Sequence, residues 1–217
     1  MTNKTASRVS VFVLLLTLFL GNARAEETLK VLMETSAGDI VIELYPESAP
    51  LSVNNFLRYV DGGFYEHSQF YRVVRLENQA QNNIKIEVIQ GGLGMATEDT
   101  PFGPIAHEST ETSGIRHTDG VISMARAEPG SAASEFFICI NDQPELDFGG
   151  HRNPDGQGFA AFGKVIAGMD IVRAIQNMKT DSPPGGELEY TSGQILLEPV
   201  IIGHVSRLAE SKNPEGD

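Results

Sequence analysis

The sequence has no tryptophan and a single cysteine, and it is short of cations: 16 Lys and Arg stand against 29 Asp and Glu, for a net charge of −13. Each shortage closes off a class of function. Cys139 has no partner within the chain, so no internal disulfide framework is available, and its place in "FFICI" reads as a small buried hydrophobe. The acidic balance argues against sequence-independent binding to nucleic acid or anionic lipid, whose affinity comes from Lys and Arg. The five histidines, His67, His107, His117, His151 and His204, show no pair at metal-ligand spacing and no HExxH helix. They read as surface or hydrogen-bonded side chains. "GGLG" at 91–94 lacks the Lys and Ser/Thr of a phosphate loop, and no serine sits in a nucleophile elbow.

Long apolar runs are also missing, except at the start. "VFVLLLTLFL" follows Lys4 and Arg8, small residues frame Arg24 in "ARA", and Glu26 comes next. This is the layout of a secretory signal peptide over residues 1–25, with cleavage expected after Ala25. An uncleaved membrane anchor is the competing reading, although spanning a bilayer takes about twenty apolar residues and the run over 9–21 is shorter. No later segment is apolar enough to span, so no stable membrane insertion is expected after cleavage. Cleavage would remove Lys4, Arg8 and Arg24, and −13 minus these three positive charges gives −16. Residues 26–208 have the length of one domain with its own core, and 209–217 reads as a flexible tail.

What is present is a series of short strands. "KVLMET" and "DIVIELY" flank "SAG" as a β-hairpin. Further strands are expected at 69–75, 86–90, 121–125, 135–140, 159–165 and 195–206. Val53, Phe56, Leu57 and Val60 recur at helical spacing, with Pro50 suited to a first turn and Gly62–Gly63 to a stop. A second helix fits "GMDIVRAIQNM", with Met169, Val172 and Ile175 on one stripe. Short strands punctuated by Gly and Pro, with two helices, point to a closed barrel or a sandwich.

Some strands carry polar groups beside apolar ones. In "FYRVV" strict alternation puts Phe70, Arg72 and Val74 on one face and Tyr71 and Val73 on the other. Val88 shares a face with Gln90, and Glu135 with Phe137 and Cys139. Each alone is an ordinary surface feature; together they form a pattern.

That pattern resembles the cyclophilins, the peptidyl-prolyl cis-trans isomerases. "TSAGDIVIELYPESAPLSVNNFLRYVDGGFY", "FYRVV", "VIQGG", "GVISMARA", "SEFFICI", "LD" at Leu146–Asp147 and "FAAFGKVIAGMDIV" match the family in order, over nearly all of residues 30–205. The likeness is greatest to the exported bacterial branch. It implies a mainly β fold, a closed eight-stranded antiparallel barrel capped by two α-helices, and isomerisation of X-Pro bonds in unfolded or loop segments, with no cofactor and no metal. By the same resemblance Arg72 is the polarising arginine and Gln90 the residue that orients it. Val88, Phe137, Leu146 and Phe159 line the proline slot, with Phe159 where many members have histidine. Ala125 and Arg126 lie on the segment whose backbone aligns the peptide. A periplasmic location and a monomer are the accompanying expectations.

The departures from the family are specific. Seventeen residues separate Arg72 from Gln90, about ten more than the family pattern R-x-x-x-G-F-M-x-Q has. Counting back from Gln90 puts Val88 at the family's Met and Glu87 at its Phe, which removes an aromatic from the slot. Glu145 stands where cyclosporin-binding members have tryptophan, so weak cyclosporin binding is expected. Glu135 replaces glutamine, either as a rim carboxylate or as a partner of Arg72. Three readings remain open: an exported prolyl isomerase, a catalytically weak cyclophilin-fold chaperone or assembly module, and a ligand-binding β-barrel of unrelated function.

Overall fold

The structure, a computed structural model, describes residues 29–94, 100–181 and 189–209. The expected signal peptide and nearly all of the expected tail therefore lie outside the described residues. Nine strands make one sheet: β1 (Leu29–Thr35), β2 (Gly38–Leu44), β3 (Gln69–Val74), β4 (Val88–Gly92), β5 (Val121–Met124), β6 (Phe136–Cys139), β7 (Ala160–Ala167), β8 (Thr180–Asp181) and β9 (Ile195–Leu208). Their order is β1-β2-β7-β5-β6-β4-β3-β9-β8, and β1 also pairs with β9. That last pairing joins the two ends, so eight strands close into an antiparallel barrel while the short β8 pairs with the start of β9. Closure satisfies the edge amides that an open sheet would leave exposed.

Alternation within the strands divides the apolar residues into two groups. Met33, Ile40, Ile42, Phe70, Val73, Ile89, Phe136, Ile138 and Phe162 fill the barrel. Val74, Ile86, Val88, Phe137, Cys139 and Leu146 form a smaller cluster, with Ala125 and Phe159 packed against it. Cys139 is thus a buried apolar side chain, and burial pushes its thiol well up.

Two helices of more than one turn pack on the barrel. α1 (Pro50–Asp61) buries Val53, Phe56, Leu57, Tyr59 and Val60, the stripe expected from its spacing. Its open N-terminus is capped from far along the chain. Glu108 Oε1 accepts from the Leu51 amide (2.9 Å), and Oε2 accepts from the Ser52 amide and hydroxyl (both 2.7 Å). A carboxylate there satisfies orphan amides and complements the helix dipole. α2 (Thr110–Ser113) is one short turn after that capping segment, and α3 (Met169–Gln176) buries Val172 and Ile175.

In β3 strict alternation fails. Phe70 pairs with Gly91 and Arg72 with Gln90, so Tyr71 and Arg72 both stand opposite Gln90. This is a β-bulge, and it turns both side chains to the same side. Phe70 and Val73 accordingly lie in the barrel core, while Val74 lies in the smaller cluster. Phe70 and Arg72 do not share a face, and Tyr71 joins Arg72 instead.

Candidate active site

A cavity of about 600 Å3 opens where β3, β4, β5 and β6 run side by side. All nine residues singled out from the sequence line it: Arg72, Val88, Gln90, Ala125, Arg126, Glu135, Phe137, Leu146 and Phe159. Its apolar floor is the smaller cluster. Phe137 meets Phe159 edge to face at 5.2 Å, and behind it the His117 ring stacks on Phe137 at 6.0 Å. His117 is fully buried between Asp147 Oδ1 (2.8 Å) and Ser123 Oγ (3.0 Å), and burial holds its pKa below the usual histidine value. Phe137 therefore rests on a fixed ring, and Asp147 of "LD" serves to hold that ring.

Above the floor sits the Arg72 guanidinium, oriented by two glutamines. Nη1 donates to Gln90 Oε1 (2.7 Å), while Nε (2.9 Å) and Nη2 (2.6 Å) both donate to Gln194 Oε1. Neither partner is charged, so the cation is positioned without being neutralised. Burial pulls its pKa down, yet a guanidinium stays protonated in proteins. Gln194 is fully buried; it lies 122 positions from Arg72 in a stretch with no family motif, and no sequence signal marked it.

Glu135 does not pair with Arg72. Its Oε2 accepts a short hydrogen bond from the Tyr71 hydroxyl, and its Oε1 accepts from the Gly94 amide (2.8 Å). Tyr71 in turn accepts from Gln90 Nε2 (2.8 Å). A relay thus runs from Arg72 through Gln90 and Tyr71 to Glu135. It exists because the bulge brings Tyr71 to this side of the sheet. Burial raises the Glu135 carboxyl above the usual range; burial and then the Glu135 charge push the Tyr71 hydroxyl far up, so it stays a donor. Gly92 makes room for this arrangement. Its φ of 142° suits glycine, and a Cβ there would run into the Glu135 carboxylate.

Arg126 lines the cavity but its head is occupied. It forms a bidentate pair with Asp155 (2.8 and 3.0 Å) and donates to the Gly158 carbonyl. Its side chain therefore clamps the loop before Phe159 and is itself buried, and only its backbone is left for a ligand.

The residues between Arg72 and Gln90 fold back on the barrel rim. Gln79 Nε2 donates to the carbonyls of Arg75 and Ile86 (both 2.7 Å), and its Oε1 accepts from the Ile86 amide (3.2 Å). This closes a loop that turns the buried Ile86 into the cavity. Glu87 points elsewhere, accepting from Asn141 Nδ2 (3.0 Å). The wall expected to lose an aromatic at Glu87 is rebuilt with Ile86 and Val88, which share a face two residues apart.

Comparison with known proteins identifies the family. The family model for cyclophilin type peptidyl-prolyl cis-trans isomerases matches residues 30–203. Peptidyl-prolyl cis-trans isomerase cyp18 of Streptomyces antibioticus is 36% identical over 174 residues, covering 78% of this chain and 93% of the relative. Peptidyl-prolyl cis-trans isomerase A of Dickeya dadantii is 38% identical over 176 residues (79% and 84%), and isomerase B of Escherichia coli 34% over 176 (79% and 98%). Among solved structures, a Cryptosporidium parvum cyclophilin superposes with a TM-score of 0.62 at 24% identity, over 83% of this chain and 99% of that one. The barrel, the cavity and these matches agree: the chain belongs to the cyclophilin-type peptidyl-prolyl cis-trans isomerase family.

Proposed function

We propose that this prolyl isomerase acts on X-Pro segments of exported polypeptides, with Arg72 stabilising the twisted amide and Gln90 holding Arg72 in place. The observation that carries the reading is a guanidinium fixed by two neutral acceptors above an apolar slot.

The chemistry follows from the amide. Resonance sets a barrier of roughly 18–20 kcal/mol to rotation about the C–N bond, and uncatalysed X-Pro exchange takes tens to hundreds of seconds. No covalent bond breaks, so the catalyst needs neither nucleophile nor cofactor. It must bind the twisted form more tightly than either planar form. At the twist the proline nitrogen regains its lone pair, and a preorganised donor aimed there lowers the barrier. Arg72 fits that role because it is already oriented and, among the described residues, no carboxylate competes for it. Phe137, Leu146, Phe159, Val88 and Ile86 would hold the pyrrolidine ring while the acyl side turns. The backbone at Ala125 and Arg126 would align the peptide. Glu135, set back behind Tyr71, would position Gln90 and leave substrate to the others. A cyclophilin of the same fold was crystallised in the presence of the dipeptide Ala-Pro, which supports an X-Pro ligand for this slot.

The leader-like N-terminus supports export, and the bacterial relatives support a periplasmic location. A monomer is the simplest assembly. Glu145 is engaged with His151 (2.9 and 3.1 Å) and offers no indole, so cyclosporin should bind only at micromolar concentration or above; a submicromolar Kd contradicts this. The reading as a whole is tested by protease-coupled isomerisation of an Ala-Pro peptide. The chain from Glu26 onward should be active, and Arg72→Ala should lose about a hundredfold in kcat/KM, the scale of removing one preorganised donor. Equal activity in both contradicts the assignment of Arg72. Peptide binding without turnover in the parent favours the chaperone reading, for which the rebuilt wall is the one structural argument.

A further inference from the structure

Five of the described arginines hold a carboxylate: Arg75, Arg116, Arg126, Arg173 and Arg207. Of the other three, Arg58 lies over the Phe102 ring and Arg72 over the Tyr190 ring, and both Arg72 and Arg152 line the cavity. Arg72 is explained by the reaction. Arg152 is not.

Arg152 comes from the loop between Leu146 and Phe159 and faces the segment inserted between Arg72 and Gln90. Among the described residues only its Nη1 is used, donating to the Ile84 carbonyl (2.5 Å) and to Gln79 Oε1 (3.2 Å). Its other nitrogens make no hydrogen bond among the described residues. Asn153, also on the cavity wall, keeps a buried side-chain nitrogen with no partner among them. Asn82, from the insert, lines the same wall. Burial, then repulsion from Arg72, pulls the Arg152 guanidinium down to about 10. A half-buried cation under that pressure is relieved by an incoming anion.

Among the described residues, the cavity's other charges do not meet this demand. Arg126 is matched by Asp155. Glu135 is tied to Tyr71 and the Gly94 amide, beside Ser134. Arg72 adds a second positive charge. A chain whose net charge is −13 therefore presents a locally cationic wall beside its apolar slot.

We propose that Arg152, with Asn82 and Asn153, forms an anion subsite beside the proline slot, taking the side-chain carboxylate of an Asp or Glu close to the X-Pro bond. The proposal rests on the isomerase reading for the slot, and adds to it a substrate preference. A guanidinium with free nitrogens, flanked by an amide donor, matches the forked geometry of a carboxylate. The insert supplies Asn82 and the groups that hold Arg152, so the subsite depends on the segment in which this chain departs from the family pattern.

The test uses the purified protein and peptides blocked as amides, Ala-Ala-Pro-Xaa-Ala and Ala-Xaa-Pro-Ala-Ala, with Xaa as Glu, Gln or Lys. A further Gln peptide carries a free C-terminal carboxylate. NMR titration reads Kd, and exchange spectroscopy reads catalysed isomerisation. At 20 mM salt one of the Glu peptides should bind about tenfold tighter than its Gln counterpart, as one charged hydrogen-bonded pair supplies. The Lys peptide should be weakest, and the Glu advantage should shrink several-fold at 0.5 M salt. Arg152→Gln keeps a donor for Ile84 and should bring the Glu and Gln peptides level, whereas Arg152→Lys should keep most of the preference. Equal Kd for Glu and Gln peptides overturns the subsite, as does an advantage that survives Arg152→Gln in a variant melting like the parent. Tighter binding of the free carboxylate alone overturns the side-chain assignment. No catalysed exchange with any peptide would instead refute the isomerase reading, and the Kd comparison would still decide the subsite.

Discussion

With the Tyr71 hydroxyl donating to Glu135, its oxygen is left to accept from Gln90 Nε2, and the Gln90 carbonyl is turned toward Arg72. Protonating Glu135 lets the relay reverse, turning the Gln90 amide nitrogen against a cation. Burial raises the Glu135 pKa, so protonation begins at a higher pH than for an exposed carboxylate. The expected outcome is a kcat/KM that falls as pH drops through a midpoint above the usual carboxylate range. In Glu135→Gln that acid limb should vanish while turnover at neutral pH is kept. The same limb in both proteins contradicts the relay, and so does a flat parent profile from pH 4 to 8. Arg72 and Gln90 were legible in the sequence because the short stretches around them, "FYRVV" and "VIQGG", keep the family likeness on either side of the insertion. Tyr71 was assigned to the wrong face because a period of two knows nothing of a bulge. Gln194 was missed because it meets Arg72 only through a contact between distant segments, and Arg152 because what sets it apart is having no carboxylate partner among the described residues.

At the scale of elements, the eight barrel strands and both longer helices follow from periodicity, the two-residue β8 does not, and the misplaced boundary is informative. A strand was expected at 86–90, while β4 runs from Val88 to Gly92. Ile86 has strand-like composition, but Gln79 takes both its amide and its carbonyl, so a side chain replaces the ladder there. Gln79→Ala should release Ile86 from the wall. KM for an Ala-Pro peptide should rise about tenfold, the worth of roughly one such buried pair of bonds, with kcat nearly unchanged; an unchanged KM contradicts the rebuilt wall. The Glu108 cap on α1 was likewise invisible in sequence, standing 56 positions beyond Ser52. Glu108→Ala should destabilise the fold by about 1–3 kcal/mol, read as a lower midpoint in thermal or urea unfolding.

For the whole molecule, composition and periodicity left barrel and sandwich open, since both are made of short alternating strands; the family resemblance pointed to the barrel. The deciding feature is the length of β9, whose first half pairs with β3 and whose second half pairs with β1. Val205, buried opposite Met33 at that seam, is a direct probe of closure. Val205→Ala should cost about 2 kcal/mol, or about 4–8 °C in Tm, and leave the Kd for an X-Pro peptide unchanged. Away from that seam, the spacing between the Arg72 strand and the Phe137 strand is set by β4, which pairs with both. The most direct test of the account is exchange spectroscopy of a saturating Ala-Pro peptide with the parent and with Arg72→Lys, which keeps the charge but loses the fork held by Gln90 and Gln194. The account predicts similar Kd values and a catalysed exchange rate about a hundredfold slower in the variant. Exchange at the parent's rate would contradict it.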